Sequence, residues 1–143
     1  MVEYLLDTCF IFHHMEREKE LLDFCNKNKV GITSFNLEEL EYNLKHMNTF
    51  IKTKIRNFLK IGNFEEIKID VHPGNPSDEK IFVEKFDKDI LKIIVDPSDA
   101  VLLVAGLKSR ANILTRDKHH LFTTNLENYL NGYGIQVLNG LPK

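Results

Sequence analysis

The chain has little of what several common protein classes need. It has only two cysteines, Cys9 and Cys25, and they form no C-x-x-C pair. They cannot by themselves make a zinc site, and they read as buried thiols of a reducing compartment rather than as a disulfide. Long hydrophobic runs are missing too. Asp7 interrupts the one N-terminal apolar stretch almost at once, which argues against a signal peptide, and nothing approaches the length of a membrane span. Neither sign of charge dominates: 19 Lys and Arg stand against 21 Asp and Glu, a net of -2. No whole-protein field draws in nucleic acid, so any RNA or DNA contact has to come from local basic patches or bound metal ions. Internal repeats, low-complexity tracts and linkers long enough to split the chain are also absent. With 143 residues, 43% of them hydrophobic, the expectation is a cytoplasmic protein of one domain, residues 1–143, with no membrane contact.

Strand-like and helix-like segments alternate along the chain. "VEYLLD" reads as a buried strand ending at Asp7, and an amphipathic stretch, "FIFHHMEREKELLDFCNKN", follows. "VGITSF" is a second strand, and Asn36 is placed to cap a helix through "LEELEYNLKHM". "TFIKTKIRNFLKIGNF" predicts another helix ending at Gly62, and "EEIKIDV" alternates as a strand does. "HPGNPSDE", with two of the four prolines, is the clearest loop. A long helix is expected from about Asp78 to Ile94, and a second from Pro97 to Ser109. "ANILT" is a strand, "RDKHHLF" a loop or helical turn, and "YGIQVL" a last strand. This alternation predicts an α/β fold in three layers, a mostly parallel central sheet flanked by helices, with ligands outside the carboxyl ends of the strands.

Acids gather at those ends. Two strands run into an aspartate, Asp7 and Asp117, and parallel neighbours would project both into one crevice. In "VDPSDAVLLVAG" Asp96 fits the N-cap, Pro97 the first helical position and Asp99 the third. Glu38 and Glu39 lie one turn into a helix after a strand, where only one of them can face the crevice. Taken singly, each acid is explained as a turn former or a cap. Together in one crevice they would repel unless cations neutralised them, and an oxygen-rich cluster suits magnesium or manganese, where zinc prefers His and Cys.

The chain resembles a PIN-domain ribonuclease, most closely the compact single-domain VapC-type toxins. The resemblance runs from "LLDTCFI" through "ITSFNLEEL" to "DPSDAVLLVAGLKSRANILTRDKHHLF". It implies a PIN-like fold and metal-dependent endonucleolytic cleavage of RNA phosphodiester bonds, with Mg2+ or Mn2+ held by Asp7, Glu39, Asp99 and Asp117. The family's apolar-x-Glu-Leu pattern selects Glu39 and leaves Glu38 as its exposed neighbour. Thr8 and Thr115 would offer hydroxyls that orient the carboxylates or a water. Many relatives carry a further aspartate where this chain has His119. The resemblance also implies RNA as substrate, a small antitoxin as partner and a homodimer.

Rival readings fit less well. A haloacid-dehalogenase-like phosphatase expects a second aspartate where Cys9 stands, and a response-regulator receiver expects an acidic pair on its first strand. A non-catalytic PIN-like module for RNA binding or scaffolding would show loss of two or more acids, and none is lost. A PIN nuclease of RNA maturation or decay would carry the same acids as a toxin. The pairs His13–His14 and His119–His120 read as solvated turns, with His119, Arg116 and Lys118 as candidates for an RNA phosphate. Lys45, Lys52, Lys54, Arg56 and Lys60 read as a solvated helical face that would hold phosphates if it borders the crevice.

Overall fold

A computed structural model describes residues 1–116 and 123–142. In chain order the elements are β1 (Tyr4–Leu6), α1 (Thr8–His13), a 3-10 turn (Met15–Arg17), α2 (Glu18–Lys27), β2 (Val30–Thr33), α3 (Ser34–Leu44) and α4 (Thr49–Ile61). After these come β3 (Glu65–Ile67), α5 (Pro76–Phe86), α6 (Ile90–Ile93), α7 (Pro97–Ser109), β4 (Asn112–Leu114), α8 (Thr124–Asn131) and β5 (Val137–Leu138). The five strands form one sheet in the order β3-β2-β1-β4-β5. Every pairing in it is parallel, so the expected mostly parallel sheet is wholly parallel.

Side chains alternate across the central strands and feed two cores. Leu5 and Ile113 point into one, with buried residues of α5, α6, α7 and α8. Leu6, Ile32 and Leu114 point into the other, with buried residues of α1, α2, α3 and α4. Successive residues of a strand face opposite sides, so a sheet buried on both faces needs apolar residues at each position. The result is three layers, helices over sheet over helices. The chain winds outward from β1 to β3 with its helices on one face. It then returns to β4, on the other side of β1, with its helices on the opposite face. The crevice at this reversal, between β1 and β4, is where the strand order predicts a site.

Local rules account for the helix that crosses beneath it. Asp96 accepts a hydrogen bond from Ser98 N at 3.0 Å, Pro97 opens α7, and Arg110 closes it in the left-handed region at φ 54°. Residues Ala100 through Leu107 are all buried, so α7 is apolar all round, as a helix walled in on every side must be. Gly106 seats it against the sheet. A Cβ there would stand 2.8 Å from Ile113 Cδ1 and 2.9 Å from its Cγ1.

Several sequence expectations need correction. Thr33, not Asn36, caps α3: its Oγ1 accepts from Asn36 N at 3.0 Å, which leaves Asn36 inside the first turn and buried. "PSDE" belongs to α5 rather than to a loop, because Asn75 caps that helix through Ser77 N and Asp78 N. The helix expected from Asp78 to Ile94 is two helices. Asp87, extended at φ -163°, accepts from Asp89 N and from the Tyr129 hydroxyl and so turns the chain out of α5. The strand in "EEIKIDV" spans only Glu65–Ile67. Helix α8, capped by Thr123 and buried through Leu126 and Leu130, had no counterpart in the sequence reading.

Gly106→Ala tests the seating of α7. In an open helix this change stabilises by about 1 kcal/mol. Here the new methyl meets a fully buried isoleucine, and overpacking of this kind costs about 1–3 kcal/mol. The expected net result is a lower urea midpoint with an unchanged m-value.

Candidate functional site

The carboxyl ends of β1, β2 and β4 open onto a crevice of about 400 Å³ whose walls include Asp7, Thr8, Asn36, Glu39, Asp99 and Arg116. Three of the four acids expected from sequence therefore line one cavity, although they come from three separate parts of the chain. The fourth, Asp117, lies outside the described residues, as do Lys118, His119 and His120.

Asp7 is both the end of β1 and the N-cap of α1. Its Oδ1 accepts from Thr8 N at 2.7 Å and from Asn36 Nδ2 at 3.3 Å. Its Oδ2 accepts from the Thr115 hydroxyl at 2.7 Å and from the Cys9 thiol at 3.3 Å. Glu39 stands one turn beyond Asn36 on α3, and its Oε1 accepts from Thr8 Oγ1 at 3.3 Å and Asn36 Nδ2 at 3.2 Å. Thr8 and Thr115 are both buried and give their hydroxyls to Glu39 and Asp7 respectively. Glu38 points out of the crevice and meets His72 Nδ1 at 2.7 Å. Asp99, in the first turn of α7, is half-buried on the crevice wall.

The charge in this crevice is costly. Burial, reinforced by the charges of Asp7 and Glu79 and only partly offset by hydrogen bonds from Thr8 and Asn36, pushes the Glu39 carboxyl up to about 7. Burial and then the Asp7 charge push the Cys9 thiol up to about 11. Cys9 is thus a neutral thiol at neutral pH, and it donates to Asp7 rather than offering a thiolate to a metal.

Two contributors were not read from sequence. Asn36 reads as a cap, although its place three residues before Glu39 puts both on one helical face. Glu79, in α5, is 2% exposed and accepts from the Ser98 hydroxyl at 2.9 Å. Its only signal was an acid four residues before buried Val83, on the apolar side of a helix.

The basic and histidine candidates fall elsewhere. Arg116 lines the crevice, and its Nη1 donates to the Asn139 carbonyl at 2.9 Å, so its reach is set by the last strand. Lys45 lies over the Tyr42 ring and Lys54 over Phe50. Neither these nor Lys52, Arg56 and Lys60 line the crevice. His14 stacks on Phe10 at 4.3 Å between centroids, and burial lowers its pKa. His13 is exposed.

The donor set fits a hard divalent cation in kind: carboxylates, an amide and hydroxyls, with the one thiol neutral. The raised Glu39 pKa is what a buried carboxyl beside a second acid shows when no cation balances the pair. Among the described residues, no three His, Cys, Asp or Glu groups close into a metal cluster. Asp7 and Glu39 are the close pair, and Asp99 shares their cavity.

No protein-family description and no curated protein matches the sequence. Solved structures do match the fold. The chain is similar to a chain of VapBC2 from Rickettsia felis, a structure bound to a DNA fragment from their promoter. The TM-score is 0.60 over 95% of this chain and 96% of that one, at 16% identity. It is also similar to PAE2754 from Pyrobaculum aerophilum, with a TM-score of 0.57 over 92% and 89% of the two chains, again at 16% identity. The chain has a VapC-type PIN fold. At this identity the likeness establishes the fold alone, and the chemistry has to be argued from the residues.

Glu39 makes the stability of the metal-free protein pH-dependent. Its folded pKa of about 7 lies above the ordinary 4.5, so the folded state holds a proton that the unfolded state gives up between those values. The Glu39 contribution to stability is therefore fully present below about 4.5 and is lost as pH rises through about 7, by at most about 1.4 kcal/mol per pH unit. Glu39→Gln keeps an acceptor for Thr8 and Asn36 and removes the charge. In chelator, its urea midpoint should exceed that of the wild type at pH 8 and match it near pH 4.5.

Proposed function

We propose that this protein is a magnesium- or manganese-dependent endoribonuclease. One observation carries the reading: Asp7, Glu39 and Asp99, distant in sequence, line one crevice at the carboxyl ends of the sheet. The VapC-type fold supports it. Asp7, Glu39 and Asp99, together with Asp117, would hold the cation directly or through water. A divalent cation bound there supplies an acidified water and neutralises charge on the scissile phosphate, so no side-chain nucleophile is needed. Thr115 and Thr8 hold the Asp7 and Glu39 carboxylates in place. Arg116 supplies a positive charge at the rim, which offsets the repulsion of a phosphate by the acids. The Rickettsia felis protein is a VapBC2 assembly on promoter DNA, which favours an antitoxin partner for this chain and a toxin's role over RNA maturation or decay. Among the described residues no helix is long and apolar enough to cross a membrane.

Cleavage of defined RNAs with and without added magnesium is the direct test. Glu39→Gln and Asp99→Asn should each lower the metal-dependent rate by more than roughly 100-fold, the upper end of what loss of an outer-sphere partner costs. Glu38→Gln should change it by less than about twofold, because that side chain faces His72 and solvent. Equal losses for the two glutamates would mean that α3 presents a different face to the substrate. Metal-independent wild-type protein that binds RNA without cutting it would instead establish the non-catalytic module.

Asp117→Asn should also abolish cleavage, while His119→Ala combined with His120→Ala should leave metal-induced thermal stabilisation intact. Loss of that stabilisation in the histidine variant, with its retention in Asp117→Asn, would replace the acid site with a histidine site.

A further inference from the structure

Asn36 is buried, at 2% exposure, and its side chain makes no contact that a helix cap would need. Thr33 already performs that task, and in doing so it fixes the amide. Thr33 Oγ1 accepts the Asn36 backbone N–H, and its own proton goes to Asn36 Oδ1 at 2.6 Å. With the oxygen held there, the two Nδ2 protons can only face the crevice. Three acceptors wait for them: Thr8 Oγ1 at 3.1 Å, Glu39 Oε1 at 3.2 Å and Asp7 Oδ1 at 3.3 Å. One neutral group thus bridges two carboxylates that repel each other and that arise on different elements, β1 and α3. Asparagine is a poor helix former, and its local reward in this helix is already supplied by threonine. What the position gains is a donor shared by both acids.

We propose that Asn36 is a positioning residue of the metal site, setting the spacing between the Asp7 and Glu39 carboxylates and through it the affinity for the divalent cation. This rests on the metal-dependent nuclease reading above. A bridging amide adds no charge, so it leaves the site as anionic as the acids make it. It holds them at one separation before the cation arrives, which removes part of the ordering cost of binding. Removing it frees Glu39 to swing away from Asp7, and affinity for the cation falls while the RNA-facing surface is untouched.

The test uses the full-length chain and three measurements on the wild type, Asn36→Ala and Asn36→Ser. These are Mn2+ binding by titration calorimetry, the Mg2+ concentration giving half-maximal RNA cleavage, and KM for RNA at saturating Mg2+. Asn36→Ala should bind Mn2+ about 10–100-fold more weakly, the range for loss of an outer-sphere partner. Its half-maximal Mg2+ concentration should rise in step, and its KM for RNA should stay within about twofold. Asn36→Ser keeps one donor in a smaller side chain, so it should show a smaller loss of the same kind. It carries the test alone if the alanine variant does not fold. Wild-type Mn2+ affinity in every folded variant would overturn the proposal and leave the nuclease reading standing. A wild type that neither binds Mn2+ nor cleaves RNA would overturn both.

Discussion

Among the described residues, three parts of the chain meet on the carboxylate of Asp7. The start of α1 supplies a backbone N–H and a thiol, α3 supplies an amide, and the residue after β4 supplies a hydroxyl. Each is a donor, and together they approach the roughly four lone-pair positions that a carboxylate offers. The shortest two, from Thr8 N and Thr115, lock its orientation. The longer two, from Cys9 and Asn36, reach it from the start of α1 and from α3. Glu39 is drawn to the same place by two of the same residues, through the Thr8 hydroxyl and the Asn36 amide. Its carboxylate oxygen and that of Asp7 contact a common nitrogen and so lie no more than roughly 6.5 Å apart, where two unit charges at an effective dielectric of 20 repel by about 3 kcal/mol. Burial first and this repulsion second raise the Glu39 pKa, and a bound cation would turn the repulsion into attraction.

The sheet order makes this meeting possible. With β1 at the centre, the segments leaving β1, β2 and β4 all emerge on the same edge, and all are parallel. Antiparallel pairing of either neighbour would send one of the acids to the opposite end. Asp99 reaches the edge by another route, since it begins a helix that leads into β4 instead of following a strand. Its helix is held at that end by the Asp96 cap and by the Ser98–Glu79 contact. The buried Glu79 thus ties α5 to the first turn of α7, and its charge adds to the rise of the Glu39 pKa.

Local chemistry explains what could be read from the sequence. Asp96, Pro97 and Asp99 declare the start of α7 within four residues, and the acid at the end of "YLLD" declares a strand turning into a helix. These signals are complete in a short stretch, so one sequence suffices. The break after Phe86 is not complete in that way. Asp87 turns the chain partly because Tyr129, 42 residues later, donates to it, and nothing near Asp87 announces that partner. Asn36 misled for a related reason. Asparagine and threonine are both good caps, Thr33 and Asn36 lie one turn apart, and only the tertiary position of Asp7 decides which caps and which turns inward. Glu39 and Glu38 are separated in the sequence by resemblance alone, and in the fold by their surroundings, Asn36 and Thr8 for one and His72 for the other.

Gly106 has a bearing well beyond its own contacts. It lies seven residues from Asp99, roughly 10 Å along a helix rising 1.5 Å per residue, and it presses α7 directly against Ile113 of β4. The helix is in effect a rod clamped at a point remote from its working tip. Any thickening at the clamp would tilt the rod, and the tip would sweep farther than the clamp moved. The width of the acidic crevice is therefore gauged partly by a residue that never approaches it and has no side chain with which to do so.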